Sequence, residues 1–267
     1  MVNSLKTTAS PLSDPDKASN LEALRRQFDG TPYPWIPLDQ NIETSPSIFH
    51  EHSIATAFYG RDHRLIETTG MTVLDVGCGS GYKALALAHV NPGTTVVGID
   101  LSPKSIELAK QRAEFWGLGD RLEFHVLDVE HLGRLEQQFD YINCDETLYL
   151  LPDPLGSLKT ISQVLAPQGI LRANLHNYHQ RQRILNSQKA CRMLDPETAP
   201  NSQDAIDNFF DLVQYLSPQT SIRQSWAKFD PRLSQEQKTE LVQANFLLQG
   251  DRGFTIADTF ALLDQES

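Results

Sequence analysis

Residues 73–81 read VLDVGCGSG, an apolar run that ends in a loop with glycine at every second position. A helix-like segment, residues 82–90, follows at once. Glycine tolerates positive φ angles, and side chains at Gly77, Gly79 and Gly81 would keep a ligand away from the backbone. The following helix would direct its free N–H groups at a bound molecule. The stretch therefore predicts a strand, a turn and a helix that together bind a nucleotide-like cofactor.

The spacing of these glycines argues against a dinucleotide cofactor. The dinucleotide fingerprint is G-x-G-x-x-G, in which the third glycine allows close packing of helix on strand. Here the spacing is G-x-G-x-G, and Tyr82 occupies the position of that last glycine. An NAD-dependent oxidoreductase is therefore kept only as a minor alternative.

The motif D-x-G-x-G-x-G over residues 75–81 resembles motif I of the class I S-adenosylmethionine-dependent methyltransferases. The resemblance continues through Asp100, Asp128 and residues 139–154, and it covers roughly residues 65–176. These motifs are specific in combination, although none suffices alone. The resemblance implies an α/β fold with a Rossmann-like, doubly wound, mainly parallel sheet. It also implies S-adenosylmethionine as cofactor and direct displacement at the sulfonium methyl carbon.

The same resemblance assigns cofactor-binding roles by position. Asp100 ends the second strand and is expected to accept hydrogen bonds from the ribose hydroxyls. Asp128 would accept from the adenine amino group, and Asp75 would hold the loop near the methionyl end. A simple turn or helix cap is the alternative for both of these acids, as a plain core position is for Leu101 and Cys144. The predicted cofactor-binding set is Asp75, Gly77, Cys78, Gly79, Gly81, Asp100, Leu101, Asp128, Val129 and Cys144.

Candidate catalytic residues follow the fourth and fifth strands. Asp145 and Glu146 come directly after the fourth strand and are candidates for a base or for orienting a substrate. Tyr149 would hydrogen-bond or stack on that substrate, and His176 ends the fifth strand at the same edge of the sheet. In the competing interpretation the two acids cap a short helix, Tyr149 packs inward, and His176 is structural.

The class of methyl acceptor is narrowed by the motifs that the sequence lacks. The segment after the fourth strand lacks the Asn/Asp-Pro-Pro-aromatic motif typical of base-amino methyltransferases, and Cys144 lacks the proline neighbour of a carbon-5 cytosine enzyme. Glu146 is the single glutamate of that loop, where arginine methyltransferases bring two. No cluster has metal-ligand spacing, and the histidines of residues 50–52 are predicted to lie on the surface. A small-molecule acceptor remains; the alternatives are a non-catalytic S-adenosylmethionine-binding scaffold and an RNA or protein methyltransferase.

Composition limits the class of protein. The chain has 267 residues, a formal net charge of −11 and three widely spaced cysteines. No run of about 18 apolar residues predicts a membrane span, and the polar N-terminus has no secretory signal, so a cytoplasmic location is expected. The acidic balance argues against a nucleic-acid partner. One basic cluster, Arg181, Arg183, Lys189 and Arg192, predicts either a local patch or a solvated helix face.

Strand and helix patterns alternate through the middle of the chain. A helix is expected within residues 49–69, and Ser102-Pro103 is typical of a helix start. The predicted strands are residues 71–76, 95–100, 121–127, 139–144 and 169–175. The predicted helices between them are residues 82–90, 103–117, 131–137 and 154–166.

Three regions are expected along the chain. Residues 1–48 would form a flexible N-terminal segment and a proline- and aromatic-rich strap (Thr31 to Leu38), either over the pocket or on the exterior. Residues 49–176 would form the cofactor-binding domain, and residues 177–267 a helical substrate or lid segment with a turn at 250–253. The final β-hairpin usual in the resembling family is not evident. An uncovered strand edge is an association hazard, so self-association through the sheet edge or the C-terminal helices is left open.

Overall fold

Five parallel strands form one sheet in the order β3-β2-β1-β4-β5. The computed structural model describes residues 14–40, 42, 46–194 and 202–264. The strands are β1 (Thr72–Val76), β2 (Thr95–Asp100), β3 (Leu122–Val126), β4 (Phe139–Cys144) and β5 (Leu165–Ala173). Because every pairing is parallel, the carboxyl ends of all five strands lie at one edge of the sheet.

Helices precede, connect and follow these strands. The α-helices are α1 (Asp14–Gly30), α2 (Pro46–His52), α3 (Ile54–Asp62), α4 (Tyr82–Val90), α5 (Pro103–Phe115), α6 (Pro154–Gln163), α7 (Tyr178–Leu194), α8 (Gln203–Tyr215), α9 (Ser221–Trp226), α10 (Gln235–Asn245) and α11 (Ile256–Asp264). Short 3₁₀ helices span Val129–Leu135 and Leu148–Leu150. As predicted, Ser102 caps α5, since its Oγ accepts a hydrogen bond from Ser105 N at 3.1 Å and Pro103 occupies the first turn.

The two faces of the sheet bury alternate residues of its strands. Val73 packs in a cluster with the helices α3, α4 and α5, whereas Leu74 packs in a second cluster with α6. Both side chains are fully buried, and each contributes about 1.5–3 kcal/mol through the hydrophobic effect. Helices on both faces of a parallel sheet define the doubly wound, Rossmann-like architecture that the sequence predicts.

The C-terminal helices have a hydrophobic cluster of their own. Ile206, Phe209 and Val213 recur at helical spacing on α8 and bury one face of it. They pack with Val242 and Phe246 at the end of α10. A smaller cluster, which contains Leu24, Tyr149, Leu150 and Leu248, connects this unit to α1 and to the loop after β4.

Two predicted elements in the sheet region differ from the structure. The helix expected at 131–137 is the 3₁₀ helix Val129–Leu135, which begins directly after a capping Asp128. The strand expected at 169–175 is Leu165–Ala173, and it includes Pro167. Proline lacks a backbone donor but is tolerated in an edge strand, where one side of the backbone needs no partner.

The N-terminal part also corrects the predictions. The N-terminal segment, expected to be flexible, is helical from Asp14 to Gly30, whereas residues 1–13 lie outside the described residues. The helix expected within 49–69 is divided at Ser53, whose Oγ accepts a hydrogen bond from Thr56 N at 3.2 Å and starts α3.

Strand β5 forms one edge of the sheet. The described residues add no sixth or seventh strand beyond it, which agrees with the absence of a hairpin pattern in the sequence. Arg61 donates hydrogen bonds to the carbonyl oxygens of Gln168 and Gly169 at 3.0 Å each. Within the described part of the chain, no helix combines the length and apolar character that crossing a membrane requires.

Candidate functional site

A cavity lies at the carboxyl edge of the sheet, beside the glycine loop. It encloses about 820 Å³ of empty volume, part of which is open to solvent. The residues that line it are Leu24, Phe28, Tyr33, Pro34, Val76, Gly77, Cys78, Gly79, Lys83, Ile99, Asp100, Leu101, Leu127, Asp128, Val129, Asp145, Glu146, Thr147, Leu150 and Leu151. The lining is mostly apolar; its acidic side chains come from or just after the ends of strands, and Lys83 comes from α4.

The glycine loop is held tightly by the protein itself. Gly77, Gly79 and Gly81 have φ angles of 70°, 52° and 81°, which side-chain-bearing residues rarely adopt. A Cβ on Gly79 would lie 2.0 Å from the carbonyl oxygen of Tyr33, and one on Gly77 would lie 2.2 Å from Thr147 Oγ1. Neighbouring segments of the chain therefore already exclude side chains at Gly77 and Gly79.

Several backbone donors of this loop are already used. Gly77 N and Cys78 N both donate to the carbonyl oxygen of Ile99 at 2.9 Å. Gly79 N donates to Asp100 Oδ2 at 3.0 Å. The loop is thereby fixed against the end of β2, and these N–H groups do not point freely into the cavity.

Asp100 is the acid at the end of β2 and lines the cavity. Its Oδ1 accepts a hydrogen bond from Ser102 N at 2.8 Å, and its Oδ2 accepts the one from Gly79 N. Burial raises the pKa of this carboxyl to about 6, although both backbone hydrogen bonds favour its ionised form. A carboxylate held in this way presents its remaining lone pairs to a donor-bearing ligand.

The adenine-side residues predicted from the sequence also line the cavity. Leu101, Asp128 and Val129 all contribute to its wall. Asp128 Oδ1 accepts a hydrogen bond from Glu130 N at 3.0 Å and so caps the following 3₁₀ helix. The capping role is thus present, and it is compatible with a second role toward a ligand.

Three predicted cofactor residues lie behind the cavity wall. Asp75 is 1% exposed, and its Oδ1 accepts a hydrogen bond from Asn143 Nδ2 at 2.7 Å. Its Oδ2 is buried without a hydrogen-bond partner, and burial raises its pKa to about 6. Cys144 is fully buried in the sheet core, and Gly81 packs against Ala109 of α5. These three are not among the residues that line the cavity, and their role toward a cofactor stays a prediction.

Asp145 is engaged by two cations at the cavity wall. Lys83 Nζ of α4 lies 2.8 Å from Asp145 Oδ2, and Arg172 of β5 approaches Oδ1 at 3.6 Å. Arg172 also donates to Asn143 Oδ1 at 3.1 Å. Its two carboxylate oxygens are thus each occupied by a cation, so Asp145 is suited to organising the wall.

Glu146, the residue after Asp145, is a second carboxylate that lines the cavity. It has a φ angle of 62°, an unusual conformation for a residue with a side chain. Asn174, which follows β5, fixes it from two directions: Asn174 Oδ1 accepts from Glu146 N at 2.6 Å, and its side-chain amide donates to Glu146 Oε1. Tyr149 Oη donates to Glu146 Oε2 at 2.6 Å. Hydrogen bonds from His176 and Tyr149 lower the pKa of Glu146 to about 2.

His176 lies behind Glu146 and connects it to a buried acid. His176 Nε2 is 3.5 Å from Glu146 Oε2, and its Nδ1 is 2.9 Å from Asp251 Oδ1. The imidazole stacks on the Tyr149 ring with centroids 3.8 Å apart. Burial opposes the charged imidazolium, but the hydrogen bonds to Asp251 and Glu146 outweigh it and raise the pKa of His176 above its ordinary value.

Three of the four predicted catalytic residues lie in mutual contact, and they also contact an acid that the sequence did not single out. Glu146, Tyr149 and His176 form one contact network, whereas Asp145 belongs to the separate Lys83 ion pair. Asp251, predicted only as part of a turn, has a fully buried side chain. Its role could not be found from spacing, because 75 residues separate it from His176.

The N-terminal strap forms part of the cavity wall. Tyr33 and Pro34, joined by a cis peptide bond, line the cavity, and their carbonyl oxygens accept hydrogen bonds from Ser80 N at 2.8 Å and Ser80 Oγ at 2.7 Å. Buried Arg112 of α5 donates to the carbonyl oxygen of Ile36 at 2.7 Å. The strap therefore covers the glycine loop and is anchored on the sheet domain.

Two further predictions about surface residues need correction. His52, expected on the surface, is only 6% exposed, and its Nδ1 lies 3.1 Å from the carbonyl oxygen of Ile48. Arg181, expected in a local basic patch or on a solvated helix face, instead pairs with Asp251 at 2.8 Å, because α7 turns that side chain inward. The described residues contain no group of three or more side chains placed to hold a metal ion.

Comparisons with known proteins agree with this arrangement of loop, acids and cavity. A family model described as a methyltransferase domain matches residues 67–242. An uncharacterized protein of Synechococcus is 30% identical over 186 residues, which cover 69% of this chain and 44% of that protein. A ubiquinone biosynthesis O-methyltransferase of Psychrobacter arcticus is 31% identical over 155 residues, which cover 55% of this chain and 60% of that protein. The match thus spans less than two thirds of either relative.

Among solved structures, PKMT2 from Rickettsia typhi in complex with AdoHcy is similar in fold. Its TM-score is 0.61 at 21% sequence identity, and the likeness covers 88% of this chain and 44% of that one. Fold, glycine loop and family model together define a methyltransferase domain with a Rossmann-like fold. The chain belongs to the class I S-adenosylmethionine-dependent methyltransferases.

Proposed function

We propose that this protein transfers the methyl group of S-adenosylmethionine to a small molecule bound in the cavity at the carboxyl edge of the sheet. One observation carries the proposal: a single cavity is lined by Asp100 at the end of β2 and by Glu146 after β4. The first acid suits an adenosyl group and the second suits a methyl acceptor. A donor and an acceptor bound in one cavity are held in the proximity that displacement requires.

The residues present fit the adenosyl group. The Asp100 carboxylate is pre-oriented by two backbone N–H groups and can accept from two ribose hydroxyls. Leu101 and Val129 offer apolar contact to adenine, and the Asp128 carboxylate can accept from its amino group. When bound, S-adenosylmethionine supplies an activated methyl group, so the protein's task is to align the acceptor and exclude water.

A small acceptor is favoured by what closes the cavity. Leu24 and Phe28 of α1, together with Tyr33 of the strap, line it and narrow the space beside the glycine loop. The formal charge of −11 disfavours a polyanionic partner. Relatives named ubiquinone biosynthesis O-methyltransferase also support a small-molecule acceptor, at 31–39% identity over part of the chain. Helices α7 to α11 would then form the substrate segment.

The test is isotope transfer from methyl-¹³C S-adenosylmethionine. Purified protein is incubated with bacterial extract separated into small molecules, RNA and protein, and Asp100→Ala serves as the binding-deficient control. We expect labelled product in the small-molecule fraction, detected by mass spectrometry, and none with the variant. Label found only in RNA or protein would contradict the proposal.

Calorimetry separates the remaining alternatives. S-adenosylhomocysteine binding without product in any fraction would favour the non-catalytic scaffold. Tighter binding of NAD than of S-adenosylhomocysteine would favour an oxidoreductase.

A further inference from the structure

We propose that Glu146, His176 and Asp251 form a proton relay that leads from the cavity into the protein, and that the methyl acceptor is therefore a hydroxyl compound. The inference rests on the proposed function and deepens it, because it names the chemical class of the substrate. Glu146 is the residue that touches the acceptor, whereas His176 and Asp251 act through it.

The outer end of the relay is a carboxylate fixed at the cavity. Asn174 restrains the backbone and Oε1 of Glu146, whereas Oε2 accepts from Tyr149 and lies 3.5 Å from His176 Nε2. The Glu146 side chain is 41% exposed, so an acceptor can reach it. The left-handed backbone at this residue shows that surrounding contacts determine its position.

The middle of the relay is an imidazole with a defined orientation. Stacking on Tyr149 and the contact between Nδ1 and Asp251 hold the His176 ring in place. Asp251 lies nearer to Nδ1, at 2.9 Å, than Glu146 lies to Nε2, at 3.5 Å, so the single proton of neutral His176 is placed on Nδ1 and Nε2 can take a proton from Glu146; in the imidazolium form that Nε2–H donates to Glu146. A proton arriving on Glu146 Oε2 then has an acceptor 3.5 Å away.

The inner end is a charge that the protein stabilises. The Asp251 side chain is fully buried, and its Oδ2 accepts from Arg181 Nε at 2.9 Å and from Gln188 Nε2 at 2.8 Å. Burial opposes ionisation, but the hydrogen bond from His176 and the Arg181 charge keep the pKa of Asp251 below its ordinary value. Asp251 therefore stays anionic and stabilises the imidazolium that forms beside it.

The chemical step balances without a further reagent. The acceptor oxygen forms a bond to the methyl carbon as the methyl–sulfur bond breaks, and the electron pair of that bond remains on sulfur, which becomes a neutral thioether. The hydroxyl proton passes to Glu146 Oε2 and then to His176 Nε2. The products are a methyl ether, an ionised Glu146 and an imidazolium between two carboxylates. The imidazolium releases its proton to water before the next cycle.

The relay explains why a hydroxyl is the matching nucleophile. A hydroxyl must lose its proton during methyl transfer, whereas a thioether or a tertiary amine has none to lose. A thiol ionises close to neutral pH without help and a neutral amine attacks through its lone pair, so a carboxylate backed by a neutral imidazole matters most for a hydroxyl. Asp145, the other acid of the cavity, is paired with Lys83 and Arg172 and has no comparable proton acceptor behind it.

The relay predicts a pH dependence. The titratable and charged groups that face His176 are Glu146, Tyr149, Asp251 and Arg181. His176 must be neutral to accept a proton, and its pKa is raised, so kcat should rise as pH increases through a value above 6.5. Asp251→Asn removes one of the two anions, which should move this acid limb to lower pH and lower kcat.

The first arm of the test needs no acceptor. In ¹⁵N-histidine NMR titrations of the S-adenosylhomocysteine complex, we expect Glu146→Gln and Asp251→Asn each to lower the His176 pKa by about one unit. His179→Gln, an exposed histidine of α7, is the matched control and should leave the titration unchanged. A His176 pKa that is the same in wild type and both variants would overturn the relay.

The second arm measures methyl transfer to catechol and to 4-nitrocatechol, whose first hydroxyl is ionised near neutral pH. His176→Gln should lower kcat for catechol about 100-fold, with much less effect on 4-nitrocatechol, which needs no base. Equal losses on both phenols would indicate a merely structural histidine. If the wild type binds S-adenosylhomocysteine but methylates neither phenol nor any hydroxylated compound of the extract, the hydroxyl class is wrong. Failure to bind S-adenosylhomocysteine would refute the proposed function instead.

Discussion

At the scale of single residues, Asp100 is the side chain on which cofactor binding is expected to depend most. It lines the cavity and its position is fixed by Gly79 N and Ser102 N. Charge-assisted hydrogen bonds contribute about 1.5–3 kcal/mol each. We therefore expect Asp100→Ala to weaken S-adenosylhomocysteine binding by at least about tenfold, measured by calorimetry. An unchanged Kd in a variant with a native circular dichroism spectrum would remove Asp100 from the site.

The raised pKa of the same residue predicts that binding depends on pH. The Asp100 carboxyl, with a pKa of about 6, accepts hydrogen bonds from two hydroxyls only when it is ionised. Affinity for S-adenosylhomocysteine should therefore rise as pH increases from 5 to 7. Asp100→Asn should flatten this part of the profile. Asp75 also has a pKa of about 6, so an undiminished pH dependence in Asp100→Asn would assign the effect to Asp75.

Those raised pKa values also fix the sign of a stability effect. The pKa of each carboxyl is about 6 in the folded state and 3.8 in the unfolded state. Each group therefore favours the folded state fully at a pH below 3.8, and this contribution is lost as the pH rises through about 6. The apo protein therefore carries two buried carboxylates that oppose folding at neutral pH. Asp100, which is expected to bind the cofactor, is in this respect unfavourable for stability.

At the scale of elements, the glycine loop and the strap depend on each other. Alanine at Gly79 would place its Cβ 2.0 Å from the Tyr33 carbonyl oxygen, at a φ angle of 52°. We expect Gly79→Ala to lower the free energy of unfolding by about 1–3 kcal/mol and to expose the strap to limited proteolysis. The matched control is Gly119→Ala, because nothing lies within 4 Å of that position. Equal stability of both variants would contradict the contact between loop and strap.

Secondary structure was predictable where local pattern and packing agree. The helix at 82–90 and the strands at 95–100 and 139–144 match the sequence prediction, because each is an apolar run bounded by clear turn residues. The start of β5 was not predictable, since Pro167 and Gly169 look like a break in the chain. Only pairing with β4, including an irregular register between Phe139 and Tyr141, makes that segment a strand.

At the scale of the whole molecule, the C-terminal helices are expected to serve acceptor chemistry more than cofactor binding. Their cluster around Phe209 is separate from both sheet clusters, yet Asp251 beyond α10 reaches His176. Phe209 is 2% exposed, and Phe209→Ala should cost about 3–5 kcal/mol of stability. We expect methyl transfer to fall sharply while the Kd for S-adenosylhomocysteine changes less than about threefold. If methyl transfer and S-adenosylhomocysteine binding were lost to the same extent, the C-terminal helices and the cofactor site would form one cooperative unit.

The sequence by itself determined the class of this protein. The glycine spacing, the alternation of strands and helices, and acids at strand ends are local features, and local features follow from short-range backbone and side-chain chemistry. The tertiary structure decided which of those acids share a cavity and what stands behind each one. Asp145 meets two cations, whereas Glu146 meets a histidine and a buried aspartate from the far end of the chain. Charged side chains that are more than seventy residues apart in the chain interact only once packing has brought them together. The spacing of residues in the sequence therefore could not distinguish the role of Asp145 from that of Glu146.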